Sequence, residues 1–328
     1  ALSECVGSGI NIFFVNGDEV EGVLAALSGS GRFSGDGYNI VCPVWELPNY
    51  PPEWAGQLER FDEIWVPTRF IRDAVAPQVR KPLFLMPFAS TLHWVSGYSR
   101  TSFGIPRDDF VFLSFFDTSS YLERKNPYAV LDAFAQFLQA RPQSRAVLVM
   151  KVLGPSGHRG ALEERLAGLR QLDRRVILLT QVLTVAELTG LMACCDCFVS
   201  LHRAEGFGRG LSEAMSLGKP VIATAYSGNL DFMNKDNALL VDYELTPVAS
   251  AQYPFGEGQV WAEADVGDAA LQMQRLYDDP SLGRSIGAAA SRDIRETNGY
   301  RSVGERYKAR LDALRRCLPD ASARGAKP

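Results

Sequence analysis

Long apolar runs are absent from this 328-residue sequence: 146–150, 176–179 and 221–223 are far short of the roughly 20 residues a membrane-spanning helix needs. Histidine is scarce, with only His93, His158 and His202. The crowded thiols Cys194, Cys195 and Cys197 therefore lack a fourth ligand and match no common zinc spacing. Nor do six unevenly spread cysteines form the spaced pairs of a secreted disulfide framework, which points to a reducing compartment, and the crowded three read as small core residues. Positive charge is not in excess either. Lys+Arg 34 against Asp+Glu 38 gives a net charge of −4, which argues against a nucleic-acid partner. Up to residue 95 the balance is 6 Lys+Arg against 11 Asp+Glu, leaving 28 against 27 beyond it, so no basic face for docking on a membrane stands out. Three further patterns are missing: a signal peptide, a G-x-x-x-x-G-K-[ST] phosphate loop and any internal repeat of 20 to 50 residues. The start carries no initiator Met and reads as internal to a longer protein.

What is present is ordinary globular composition, 46% hydrophobic and 22% charged, which excludes disorder, collagen and coiled coil; the length suggests two medium domains. Strand-like runs at 11–15, 38–45, 63–67 and 82–87 alternate with helical stretches at 18–27, 53–60 and 69–76. A stretch with little periodicity, about 88–109, reads as a connection between domains. Strands at 110–116, 146–152, 176–181 and 197–201 then alternate with helices at 127–139, 161–172 and 185–194, and further units follow at Glu213, Pro220 and Ala238. From Gly267 to Cys317 the pattern is helical, ahead of a polar tail at 319–328. Such alternation predicts an α/β fold with mainly parallel sheets. After Asn126 and Pro127, which suit a helix cap and first turn, Val130, Leu131, Phe134, Phe137 and Leu138 share one helical face, a core face.

Ligands of open α/β sheets bind beyond the carboxyl ends of the strands, and three such places carry chemistry. The first is Asp117-Thr118-Ser119-Ser120-Tyr121-Leu122-Glu123-Arg124-Lys125-Asn126-Pro127, where two cations precede a helix start and favour an anion; a solvated Arg-Lys pair is the plainer alternative. The second is Lys151, emerging after an apolar strand toward the same cleft or resting on the surface. The third is Ser200-Leu201-His202-Arg203-Ala204-Glu205-Gly206-Phe207-Gly208-Arg209-Gly210-Leu211-Ser212-Glu213-Ala214-Met215. Its glycines let backbone amides approach a ligand, and a helix starting there turns its positive end to a diphosphate. Glu205 and Glu213 bracket that ligand. A dinucleotide-binding turn would instead follow the first strand of its domain, with an acidic residue about 20 positions on.

Glu205 to Glu213, with seven residues between the carboxylates, followed by Ala214-Met215 and Gly218-Lys219-Pro220-Val221-Ile222-Ala223-Thr224, closely resembles the donor-site motif of family 4 retaining glycosyltransferases. Glu123-Arg124-Lys125-Asn126-Pro127, Trp45-Glu46-Leu47-Pro48, Ile64-Trp65-Val66-Pro67-Thr68 and Ser227-Gly228-Asn229-Leu230-Asp231-Phe232 extend the likeness from about residue 11 to 315. The branch it resembles is bacterial and assembles cell-surface or extracellular polysaccharide, lipopolysaccharide included. The resemblance implies GT-B, two Rossmann-like domains facing across a cleft: a partial acceptor-side domain at 1–95, a donor-binding domain at 96–300, and a C-terminal helix with a mobile tail at 301–328.

The resemblance also implies roles. Glu205 binds hydroxyls of the donor sugar, Glu213 the ribose and Lys125 the diphosphate, while Gly206, Phe207 and Gly208 offer backbone amides. Glu205 and Lys125 are the catalytic pair; Arg124, Lys151 and Arg209 are candidates for the second phosphate cation, because Phe116-Asp117 stands where many relatives have Gly-Arg. Trp45 and Glu46, after an apolar strand, are acceptor-side candidates, with capping of the next segment as the alternative for Glu46. His202 reads as a structural hydrogen-bonding residue rather than a base. No cofactor or metal is expected. The partners are a nucleotide-diphosphate sugar and a saccharide or lipid-linked acceptor, with no nucleic acid. The setting is cytoplasmic, at the inner face of the membrane if an absent N-terminal part makes peripheral contact. The alternatives are a non-catalytic nucleotide-sugar binding protein, a sugar phosphorylase and a sugar-nucleotide epimerase.

Overall fold

A computed structural model describes residues 9–30, 37–154 and 174–317, with the single positions 160 and 164. The helix expected at 161–172 and the tail at 319–328 lie outside the described residues. The chain divides into two compact units, Ala1–Ala89 with Tyr300–Pro328, and Ser90–Gly299. No helix among the described residues is long and apolar enough to cross a membrane.

The first unit holds a four-stranded parallel sheet, β1 (Ile10–Phe13), β2 (Tyr38–Val41), β3 (Glu63–Val66) and β4 (Leu83–Leu85), in sequential order. The helices α1 (Val20–Gly29), α2 (Pro52–Leu58) and α3 (Arg69–Val75) alternate with them. Each strand is shorter than its apolar run. β2 stops at Val41 because Pro43 has no N–H to donate and the Val44 N–H turns away to the Asn16 side chain (3.0 Å).

The terminal helix, Tyr300–Cys317, is part of this unit rather than a separate region: Tyr307, Leu311 and Leu314 pack with Ile40, Trp65 and Met86. Arg310 of that helix reaches Glu63, which has no exposed surface. Arg310 Nε donates to one carboxylate oxygen (2.8 Å) and Nη2 to the other, while Trp65 Nε1 (2.5 Å) and the Tyr38 hydroxyl (3.0 Å) also donate to Glu63. Burial together with that acidic neighbour pushes Tyr38 up to about 12. Removing one member of such a buried pair strands the others without an acceptor. Glu63→Ala is therefore expected to lose about 2–4 kcal/mol of stability in urea denaturation, less than a fully buried pair because Arg310 reaches solvent. A loss below about 0.5 kcal/mol, the scale of an ordinary surface change, would contradict this role.

The second unit holds a six-stranded parallel sheet. In chain order the strands are β5 (Phe110–Asp117), β6 (Ala146–Leu153), β7 (Val176–Leu179), β8 (Cys197–Ser200), β9 (Val221–Thr224) and β10 (Leu239–Val241); in space the order is β10-β9-β8-β5-β6-β7. From β5 the chain builds outward through β6 to β7, then returns to place β8 on β5's other side. That reversal is a topological switch point, where loops leaving the strand ends diverge and open a crevice. The helix Pro127–Ala140 buries Val130, Leu131, Phe134, Phe137 and Leu138, the face expected, against Phe112, Leu148 and Val199. The helix Val185–Cys194 starts at a reciprocal cap: the Thr184 hydroxyl accepts the Glu187 N–H (3.2 Å), and the Glu187 carboxylate accepts the Thr184 N–H (2.7 Å).

The region expected to be a plain connection, 88–109, holds a 3-10 turn at Arg100–Phe103, and Arg100 ties it to the unit through Asp196 (2.7 Å) and the Cys194 carbonyl (3.1 Å). An antiparallel hairpin, β11 (Tyr243–Pro247) with β12 (Val260–Ala264), follows β10 and precedes the helices Val266–Asp278 and Pro280–Asn298.

Candidate functional site

The switch point between β5 and β8 brings together two loops that are 80 residues apart in the chain. After β5, Asp117 caps a 3-10 turn by accepting the Ser119 N–H (2.8 Å), and Tyr121 and Asn126 take left-hand φ values of 62° and 49°. Between them lies the single helical turn Leu122–Lys125. After β8, the chain runs through Glu205 into the helix Arg209–Ser216, whose cap Gly208 has φ 90°, a conformation that suits glycine. A side chain there would also press on Leu211 at 2.9 Å.

Glu205 is the centre of the arrangement. Only 9% exposed, it pairs with Lys125 through one carboxylate oxygen and with Arg124 Nη1 through the other (3.4 Å). Burial alone would raise its pKa. The charges of Lys125 and then Arg124 outweigh burial and hold the carboxyl at about 2, so it is ionised at neutral pH. Its backbone is clamped as well: the Glu205 N–H donates to Ser227 Oγ (2.8 Å), and the Gly228 N–H donates to the Glu205 carbonyl (2.8 Å).

The pair opens on a cavity of about 430 Å³, within the usual size of a small-molecule site. Lys125, Lys151, Glu205, Gly208, Arg209 and Glu213 all line it. Lys151, 5% exposed and within β6, donates to the Val152 carbonyl (3.2 Å). Burial raises the pKa of Glu213, with Arg209 opposing. Leu153, Val182, Leu183 and Leu188 add an apolar part to the lining, suited to a flat or hydrophobic group. Three cations and a helix N-terminus around one cavity favour an anion, and two carboxylates supply acceptors for hydroxyls.

The remaining expected residues take other places. Arg124 is buried behind Glu205, where Nη1 also donates to the Ala204 carbonyl (2.9 Å). The Phe207 ring turns away into the core against Phe232 (5.2 Å between centroids), so this residue can offer only backbone. Gly206 lies beneath Gly228. His202, with no exposed surface, turns Nε2 to Asn229 Oδ1 (3.2 Å) and the Tyr226 carbonyl (3.4 Å), two oxygens that favour a proton on that nitrogen, while Nδ1 meets the Ser200 hydroxyl (3.1 Å). Burial lowers its pKa, and the ring is a structural bridge between β8 and the Ser227–Asn229 turn.

Trp45 requires a correction. It is 2% exposed, its indole N–H donates to the Asn49 carbonyl (2.9 Å), and it packs edge-on to Tyr50 and Trp54; an aromatic cluster of this size gains more from burial than from lining an open surface. Glu46 beside it is half-buried in the first unit.

Ser114 and Phe115, outside the three segments that the sequence points to, line the cavity from β5, and Ser200, the first residue of the third segment, lines it from β8. Their position near strand ends flanking the switch point was the available signal. Among the described residues no three His, Cys, Asp or Glu side chains converge so as to hold a metal ion.

Residues 109–252, which contain most of this site, match the family model described as Glycosyl transferases group 1. No curated protein matches by sequence. Among solved structures, sucrose-phosphate synthase from Thermosynechococcus elongatus superposes with a TM-score of 0.69 at 17% identity, over 95% of this chain and 74% of that one. HepE from Anabaena, solved with UDP and glucose, gives 0.68 at 16%, over 92% and 78%. The pneumococcal O-GlcNAc transferase GtfA, solved with UDP and GlcNAc, gives 0.65 at 14%, over 94% of this chain and 57% of its own. The mixed α/β architecture with its parallel sheets is that of GT-B glycosyltransferases, and the segment that builds the cavity is similar in sequence to glycosyl transferases of group 1.

Proposed function

We propose that this chain transfers a sugar from a nucleoside-diphosphate sugar to a saccharide or lipid-linked acceptor with retention of anomeric configuration, in polysaccharide assembly. The observation that carries this reading is the Lys125–Glu205 pair at the mouth of a cavity also lined by Lys151, Arg209 and the start of the helix Arg209–Ser216. The diphosphate occupies the cations and the helix N-terminus. Lys125 then exchanges Glu205 for phosphate, and Glu205, still held by Arg124, turns its freed oxygen to the sugar hydroxyls. Glu213 takes the ribose, and the apolar lining takes the base. As the bond between the anomeric carbon and the phosphate oxygen breaks, negative charge gathers on the diphosphate, where the cations are already in place. The acceptor hydroxyl attacks on the same face, and its proton passes to the leaving phosphate.

Incubation with UDP-, GDP- and ADP-sugars tests this reading, with products followed by NMR in the presence and absence of acceptors. The expected result is acceptor-dependent release of one nucleoside diphosphate and a product of unchanged anomeric configuration. Release of sugar 1-phosphate, or binding without turnover, would replace it with a phosphorylase or a non-catalytic binder. Lys125→Ala removes a charge-assisted contact and is expected to weaken nucleoside-diphosphate binding by about 10- to 150-fold in calorimetry. Unchanged affinity would place the phosphates elsewhere.

A further inference from the structure

The Lys125–Glu205 pair depends on two loops meeting in one register, and a carboxylate on the hairpin grips both. Glu263, in β12, accepts from Asn126 Nδ2 through Oε1 (3.0 Å) and from Arg203 through Oε2 (Nε 2.6 Å, Nη2 2.5 Å). Asn126 directly follows Lys125 and holds a left-hand φ of 49°; Arg203 lies two residues before Glu205. Arg203 extends the grip. Its N–H donates to the Arg124 carbonyl (2.8 Å), its Nη1 to the Glu123 carbonyl (2.8 Å), and its own carbonyl accepts the Ala262 N–H (3.0 Å). Its guanidinium lies over the Trp261 ring at 5.3 Å.

We propose that Glu263 is a positioning residue for the donor site, its two oxygens fixing the loop of Lys125 against the loop of Glu205. The proposal rests on the donor-site reading above. The plain alternative is a surface ion pair, since the Glu263 side chain is 37% exposed, and such pairs add little to folding. Two features separate the readings. Both oxygens are used, one on each loop, and both contacts fall within two residues of the pair. Removing a negative charge from the neighbourhood of an anion site would by electrostatics alone tighten anion binding; loss of a positioning contact weakens it.

The test is a double-mutant cycle of Glu263→Gln and Lys125→Ala, titrated with UDP, GDP and ADP in the full chain. The expected result is that Glu263→Gln weakens binding about 5- to 20-fold, while the double variant binds no more weakly than Lys125→Ala alone, because Glu263 acts through the placement of Lys125. Its melting temperature stays within about 3 °C of the parent. Glu244→Gln, at the cross-strand neighbour of Glu263, binds as the parent does. Unchanged or tighter binding by Glu263→Gln, full additivity with Lys125→Ala, or equal loss in Glu244→Gln would overturn the proposal. If the parent chain binds none of the three nucleotides, the donor-site reading itself falls first, and that outcome is distinct from the others.

Discussion

Glu205→Gln is expected to lower sugar transfer about 10²–10³-fold while the affinity for UDP, GDP or ADP holds or tightens. The asymmetry follows from the ion pairs. In the unliganded chain Glu205 pairs with both Lys125 and the buried Arg124, so a neutral amide removes the carboxylate that competes with a diphosphate for Lys125. The sugar, by contrast, loses the charged acceptor for its hydroxyls, and with it the placement of the carbon where positive charge develops. A parallel loss of transfer and nucleotide affinity would contradict the assignment of Glu205 to the sugar. The same carboxylate gives a pH signature. Its folded pKa of about 2 lies below the value of about 4.3 for an unfolded glutamate, so its contribution to stability is full above that value and fades as pH falls toward 2. Acid titration of stability should accordingly be shallower in Glu205→Gln, and an unchanged acid limb would count against the depressed pKa.

Gly228→Ala is the second large effect. A Cβ at Gly228 would lie 2.0 Å from the Gly206 carbonyl oxygen and 2.8 Å from that of Glu205, so backbone, not a flexible side-chain tip, has to move. That backbone carries Glu205 and leads to the helix cap at Gly208. Overpacking of this kind costs about 1–3 kcal/mol, and displacement of a reacting group by about an ångström costs on the order of 100-fold in rate. Gly228→Ala is therefore expected to lose both stability and transfer. Gly304→Ala, in the interior of the terminal helix where an added Cβ meets nothing within 4 Å, should be neutral or more stable by up to about 1 kcal/mol. Equal effects of the two substitutions in chemical denaturation would show that the Gly206–Gly228 contact is not what the glycine protects.

Much of the second unit was legible because its signals are local. The buried strands are continuous apolar runs, and the helix Pro127–Ala140 advertises its face at 3.6-residue spacing. The loops at Lys125 and Glu205 were legible through glycines and cations placed just beyond strands. Less legible was anything decided by pairing across the chain. The hairpin Tyr243–Pro247 with Val260–Ala264 has a largely exposed first strand, so no buried alternation marks it. Trp45 looked like a cleft residue because its burial depends on Tyr50 and Trp54 folding back over it. Glu263 meets Asn126 from 137 residues away, a contact that no spacing rule contains.

Everything proposed for this chain depends on the cavity beside Lys125 and Glu205 receiving a nucleoside diphosphate. Crystals of the chain grown with UDP, GDP and ADP in turn test it most directly. The expected result is a pyrophosphate within hydrogen-bond distance of Lys125 Nζ and the backbone N–H groups at the start of the helix Arg209–Ser216, with Glu205 released from Lys125 but still held by Arg124. A nucleotide bound outside this cavity, or inside it with the Lys125–Glu205 pair intact and no phosphate on Lys125, would contradict it.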